Sequence, residues 1–173
     1  MATVSVRMPI EVDVTYVNKT WFSPKKPSNI RQYVIGFYQR GGMAIITSIP
    51  NNDPETIKNT VCSRVEKGAM LYAQEGILPA SLNELYEVHN FQPTDGRSVN
   101  GDIHINNVNN MWKDLKRQLK RTFIQVSSKH LQSYCDEVVW HINTRDLTPE
   151  QKFELLMSNC VRTEKRTYQD LIK

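Results

Sequence analysis

The chain has 173 residues, 39% of them hydrophobic and 23% charged, with 7 glycines and 8 prolines; that is one domain's worth of core and excludes a disordered or fibrous chain. No stretch approaches the roughly 18 uncharged apolar residues of a membrane span, and the expectation is a chain with neither a signal peptide nor a membrane partner. The net charge of +4 and a pI near 9.0 permit nucleic-acid or acidic protein partners and select neither.

Residues 9–17, PIEVDVTYV, alternate as a strand does, with Ile10, Val12, Val14 and Tyr16 on one face and Glu11, Asp13 and Thr15 on the other. A basic, turn-rich connection with Lys25 and Lys26 follows, then strands over 32–39 and 43–49 around the hairpin signal Arg40-Gly41-Gly42. Asp53-Pro54-Glu55 reads as a helix start, with Asp53 as cap and Pro54 in the first turn. The apolar stripe Ile57, Val61, Val65 and a stop at Gly68 predict a helix over 54–67. A short strand at 70–73, a short helix within 79–86 with Ser81 and Glu84 as capping box, and another strand at 86–91 come next. Residues 92–103 read as a loop and as the most mobile segment.

From His104 to Arg121 a polar, asparagine-rich entry runs into a basic amphipathic helix. A period of 3.6 puts Val108, Trp112, Leu115, Leu119 and Phe123 on one stripe and Lys113, Lys116, Arg117, Lys120 and Arg121 around the rest. Such a face either lies along a phosphate backbone, releasing counterions as it binds, or is an ordinary solvated surface. Helices over 127–142 and from Thr148-Pro149-Glu150 to about Ser158 follow, and the polar end frays or forms a last short helix. Cys62, Cys135 and Cys160 are too far apart for a zinc pattern and read as reduced, mainly packing thiols of an intracellular protein.

The order of three strands, crossover helix and further strands is what an RNase H-like fold needs: an α/β domain with a mixed five-stranded sheet and flanking helices. Within it Glu11-Val12-Asp13, then His104, Asn106, Asn109, Trp112 and Leu115-Lys116-Arg117, then Val126-Ser127, His130-Leu131, Tyr134 and Asn143-x-Arg145 resemble the DDE transposase domain of bacterial insertion sequences related to the eukaryotic Merlin elements. The resemblance covers roughly residues 9–146, which makes residues 1–146 the transposase-derived core and 147–173 a helical extension packed on it.

That family implies three catalytic positions holding two metal ions, which fall here on Asp13, Gln74 and Asn109. Some related transposases use Asn at the third position, so Asn109 alone is not disabling. The decisive change is Gln74, whose neutral amide supplies no charge to balance two cations, and Asp13 is the surviving metal-ligand candidate. No cofactor is expected unless catalysis survives, in which case the ion is Mg²⁺ or Mn²⁺. Glu75 and Asp95 are substitute acids only in a different register, and His104 reads as a link between loop and helix. With only residues 1–8 ahead of the first strand, the zinc ribbon and helix-turn-helix that the family places there are expected to be missing.

The leading expectation is a non-catalytic, transposase-derived module that binds DNA through Lys113, Lys116, Arg117, Lys120 and Arg121. The alternatives are a structural or adaptor protein acting through protein contacts or a homo-oligomer, and a metal-dependent nuclease or strand-transferase. The expected location is intracellular, and nuclear if the source is a eukaryote or a virus that replicates in the nucleus.

Overall fold

In the computed structural model, which describes residues 8–18, 31–92, 99–100, 103–122 and 126–162, the chain opens as an antiparallel meander. Its strands are β1 (Ile10–Asn18), β2 (Arg31–Gln39) and β3 (Ala44–Ile49). Helix α1 (Pro54–Arg64) crosses to β4 (Met70–Gln74), which pairs parallel to β1, and β5 (Glu87–Phe91) pairs parallel to β4. The resulting order, β3-β2-β1-β4-β5, is the mixed five-stranded RNase H-like sheet. A two-stranded ladder of β6 (Val99–Asn100) and β7 (Ile103–His104) leads into α2 (Asn106–Thr122), and α3 (Leu131–Asn143) follows. Two compact units result, Met1–Asn143 and Thr144–Lys173.

Both faces of the sheet are covered. On one, Ile10, Val12, Ile35, Phe37 and Leu71 pack with Ile57, Val61 and Val65 of the crossover segment and with Leu82 and Tyr86. On the other, Val17, Val34, Tyr38 and Ile46 pack with Val108, Met111, Trp112, Leu115 and Leu119 of α2 and Leu131, Cys135 and Val138 of α3. The alternation of β1 therefore does not separate a core face from a wet one, because the polar residues lie beneath α2. The exposed edge of β3 is closed by α3 side chains. Asn143 accepts from the Ala44 N–H at 2.8 Å and donates to its carbonyl at 2.9 Å, and Gln132 accepts from the Ser48 N–H at 2.7 Å and donates to the Ile46 carbonyl at 2.9 Å. An unpaired strand edge invites association, and these amides occupy it.

Several local expectations are corrected. Helix α1 stops at Arg64, since Val65 is already extended, and Gly68 with φ 83° makes the turn into β4. Its start is as the sequence reads: Asp53 accepts from the Thr56 N–H at 2.9 Å, with Pro54 behind it. Ser81 and Glu84 form no capping box, because only a 3-10 turn over Ala80–Leu82 forms and its cap position is Pro79. The 92–103 segment is not loop throughout, since it contains the β6–β7 ladder up to Ile103. Of the thiols only Cys135 is buried, its pKa pushed up to about 12 by burial and by Asp136; Cys62 and Cys160 are exposed rather than packed. Lys25, Lys26, Asp95, Phe123 and the polar end from residue 163 lie outside the described residues.

In the second unit, Thr148 and Gln151 cap α4 (Pro149–Arg162) reciprocally: the Thr148 N–H donates to Gln151 Oε1 at 2.9 Å and the Gln151 N–H to Thr148 Oγ1 at 3.3 Å. Among the described residues no helix is long and apolar enough to cross a membrane.

Candidate functional site

The start of α2 is fixed by a residue far away in sequence. The first N–H groups of a helix have no partner within it, and they carry the positive end of its dipole. Here the carboxylate of Glu11, on β1 and fully buried, accepts from the N–H of Asn107 at 2.8 Å and of Val108 at 3.1 Å, and from Asn107 Nδ2 at 2.8 Å. Arg40, from the β2–β3 hairpin, closes the cluster. Its Nε donates to Glu11 at 3.1 Å, another nitrogen donates to the His104 carbonyl at 3.2 Å, and its guanidinium lies 4.8 Å over the ring of Tyr72. The ring of His104 comes within 3.3 Å of the same carboxylate.

One turn further, Trp112 lies on β2 where Gly36 leaves space. Gly36 is paired with Asp13, and a Cβ there would sit 2.5 Å from both Met111 Cε and the Trp112 ring. The indole N–H reaches Asp13 at 2.8 Å, so Trp112 is a core residue and also the hydrogen-bond partner of the site's carboxylate. Substituting Gly36→Ala is expected to cost about 1–3 kcal/mol, as overpacking does, with a lower Tm and a shifted indole emission; a wild-type melt and spectrum would contradict this packing.

Asp13 and Asn109 open onto one cleft of about 640 Å³, whose walls include Thr15, Trp112, Lys113 and Lys116. Lys116 Nζ donates to Thr15 at 3.1 Å and Lys113 Nζ to Asn110 at 3.3 Å. Burial raises the Asp13 carboxyl above its ordinary value, outweighing the Trp112 and Val14 hydrogen bonds and the charge of Lys116. A carboxyl raised in the folded state contributes stability that is fully present below its unfolded value and lost as pH rises through the folded one. Asp13→Asn keeps an acceptor for the indole and removes the buried charge. It is therefore expected to melt higher than the wild type at pH 7, with the difference closing below about pH 4; equal melting at pH 7 would contradict it.

Gln74 stands at the end of β4. The β1–β4 pairing runs through Ile10↔Leu71 and Glu11↔Tyr72, and two residues beyond the last pair come Asp13 and Gln74. The three positions that the resemblance singles out thus fall at the same end of neighbouring elements, but Gln74 is exposed and is not among the residues lining the cleft. Glu75 is also exposed, accepts a hydrogen bond from Gln92 and is likewise not among the residues lining the cleft. Among the described residues no three His, Cys, Asp or Glu side chains come together as metal ligands. The described lining of the cleft, one carboxylate, three asparagine amides, a hydroxyl and two ammonium groups, does not fit a pair of divalent cations, because among the described residues no second acid balances the second ion's charge.

The five cations of α2, from Lys113 to Arg121, are all exposed, and Lys113 and Lys116 among them border the Asp13 cleft. Arg117 pairs with Asp114 one turn back, while Lys120 and Arg121 stand in the last turn, where the helix dipole favours positive charge. Sequence reasoning read Glu11 as a strand and motif residue and Arg40 as a hairpin residue, missed that the two hold the start of α2 together, and passed over Gly36. Only Gly36 carried a local signal, a lone glycine inside a strand, which marks close approach by another element.

A family model described as the ISXO2-like transposase domain matches residues 7–143. No curated protein matches the sequence. Among solved structures, the chain is similar to a chain in the cryoEM structure of simian T-cell lymphotropic virus intasome in complex with PP2A regulatory subunit B56 gamma, at 10% identity and a TM-score of 0.49. That match covers 83% of this chain and 50% of the other, so this chain spans half of its length.

Proposed function

The chain belongs to the ISXO2-like transposase domain family, and from that membership we propose a DNA-binding module that has kept the family's fold without its strand-transfer chemistry. The observation that carries the reading is the cationic face of α2 running beside the Asp13 cleft. From Lys113 to Arg121 the helix rises about 12 Å, a length over which duplex DNA presents about seven phosphate charges. The phosphate charges along that length are enough to match the cations of the face. Contacts of this kind fix position and give little base specificity. Loss of chemistry is supported by the donor set, since Asp13 is the one carboxylate lining the cleft among the described residues. The test is a mobility shift of mixed-sequence duplex DNA at 50 and 200 mM salt. Retardation at the lower concentration that fades at the higher is expected, and no retardation at 50 mM would sink the reading.

A second reading, an adaptor acting through protein contacts, is favoured by α4. Phe153, Leu156, Met157 and Val161 recur at helical spacing and are 64%, 47%, 48% and 84% exposed. Glu150 stands in the first turn of α4 and Arg162 in the last, so a second copy laid antiparallel brings the one to the other and opposes the helix dipoles. Light scattering on the full chain tests it: this reading expects a dimer that Phe153→Glu dissociates, and a monomeric wild type contradicts it.

A further inference from the structure

On the sheet face opposite α2, a recess of about 300 Å³ lies beside Tyr16, Arg31 and Tyr33, with Thr15, Asn52 and Ile77 completing its walls. The strand register makes it. Tyr16 and Tyr33 are direct partners across β1 and β2, and Arg31 is two residues from Tyr33 on the same face. The Arg31 guanidinium sits 4.8 Å over the ring of Tyr16. Tyr16 is nevertheless 42% exposed, an aromatic surface left open in a strand whose neighbours Val14 and Val17 pack into the two cores. Arg31 is exposed and, among the described residues, has no carboxylate partner, so its charge is available to a ligand.

Flat aromatic surface, a stacked guanidinium and an amide at Asn52 suit a planar, hydrogen-bonding, anionic ligand. Bases stack on such rings whatever their sequence, and arginine adds to the stack while holding phosphate. A volume near the lower limit of small-molecule sites holds one base and excludes a duplex. Thr15 decides between a free nucleotide and part of a strand. It lines this recess and also the Asp13 cleft on the other face of the sheet, where it accepts the Lys116 hydrogen bond. Strand β1 is paired with β4 only at Ile10 and Glu11, so a nucleic-acid strand passing the β1 edge at this residue reaches both sites.

We propose that the Tyr16–Arg31–Tyr33 recess receives an unpaired base from a strand whose duplex portion lies on α2, making the protein selective for DNA with a single-stranded overhang. This rests on the DNA-binding reading above, and the test separates the two. Fluorescence anisotropy on the full chain compares a blunt duplex, the same duplex with a short overhang, and one whose overhang is abasic. The overhang is expected to tighten binding at least about fivefold, the lower end of what stacking one base provides. Tyr16→Ala and the abasic overhang should each remove that gain and leave blunt-duplex affinity unchanged, while Tyr16→Phe retains it. A blunt duplex that does not bind overturns the underlying reading. A blunt duplex that binds as well as the overhang, or a gain that survives Tyr16→Ala or the abasic overhang, overturns this proposal alone.

Discussion

Replacing Glu11 by alanine is expected to cost about 3–5 kcal/mol, the loss seen when one partner of a buried ion pair is removed. For a chain of this size that lowers Tm by roughly 10 °C. The cause is the accumulation of partners on one carboxylate. Arg40 would keep its charge in a partly buried place, and the Asn107 and Val108 N–H groups at the start of α2 would lose their acceptor. Glu11→Gln should recover only part of the loss, because one amide oxygen cannot serve all the donors and carries no charge for Arg40. Arg40→Gln in the Glu11→Gln background should then cost less than in the wild type, which a double-mutant cycle by thermal or urea melting reads directly. Additive losses would show that the two residues do not act as a pair.

The second large effect falls on binding. If all five cations of α2 meet phosphates, the logarithm of affinity falls against the logarithm of salt with a slope of about −4.5, and a fourfold rise in salt weakens binding by roughly 500-fold. Reversing Lys116→Glu and Arg117→Glu together should bring that slope to about −2.7 or shallower, since two contacts go and two repulsions are added. Both side chains are exposed, and their partners, Thr15 for Lys116 and Asp114 for Arg117, are surface contacts of small worth, so the melting temperature should change little. Wild-type affinity and slope in the doubly reversed protein would mean that α2 is a solvated face.

How much of this was legible beforehand depends on where each residue's partners are. The cap at Asp53 was readable because donor and acceptor are three residues apart. The apolar stripe of α2 was readable because helical period alone sets it, and Val108, Trp112, Leu115 and Leu119 are all buried. Glu11 was not readable as a helix cap, since its partners are 96 and 97 residues away and its alternation with Ile10 and Val12 is that of any half-wet strand. Arg40 looked like a hairpin residue, and nothing local sends its side chain back to Glu11. The failure at Ser81 and Glu84 is of the opposite kind: a good local signal was overridden because the segment makes only one tight turn before Tyr86 enters the core and bonds the Val65 carbonyl at 3.0 Å.

Asp13 and Asn109 were singled out by resemblance, and the fold brings both to one cleft. Resemblance could not foresee that an indole would hold the carboxylate or that two lysines would line the cleft with it. The Asp13 carboxyl, hydrogen-bonded by Trp112 and facing Lys116, holds the body of the cationic helix against β1.

One experiment tests the central claim most directly. The protein is incubated at low salt with nicked or hairpin DNA and Mn²⁺, and each sample is divided between a native and a denaturing gel. The account predicts a retarded complex in the first gel and intact strands in the second. Cut strands that disappear in Asp13→Ala would contradict it.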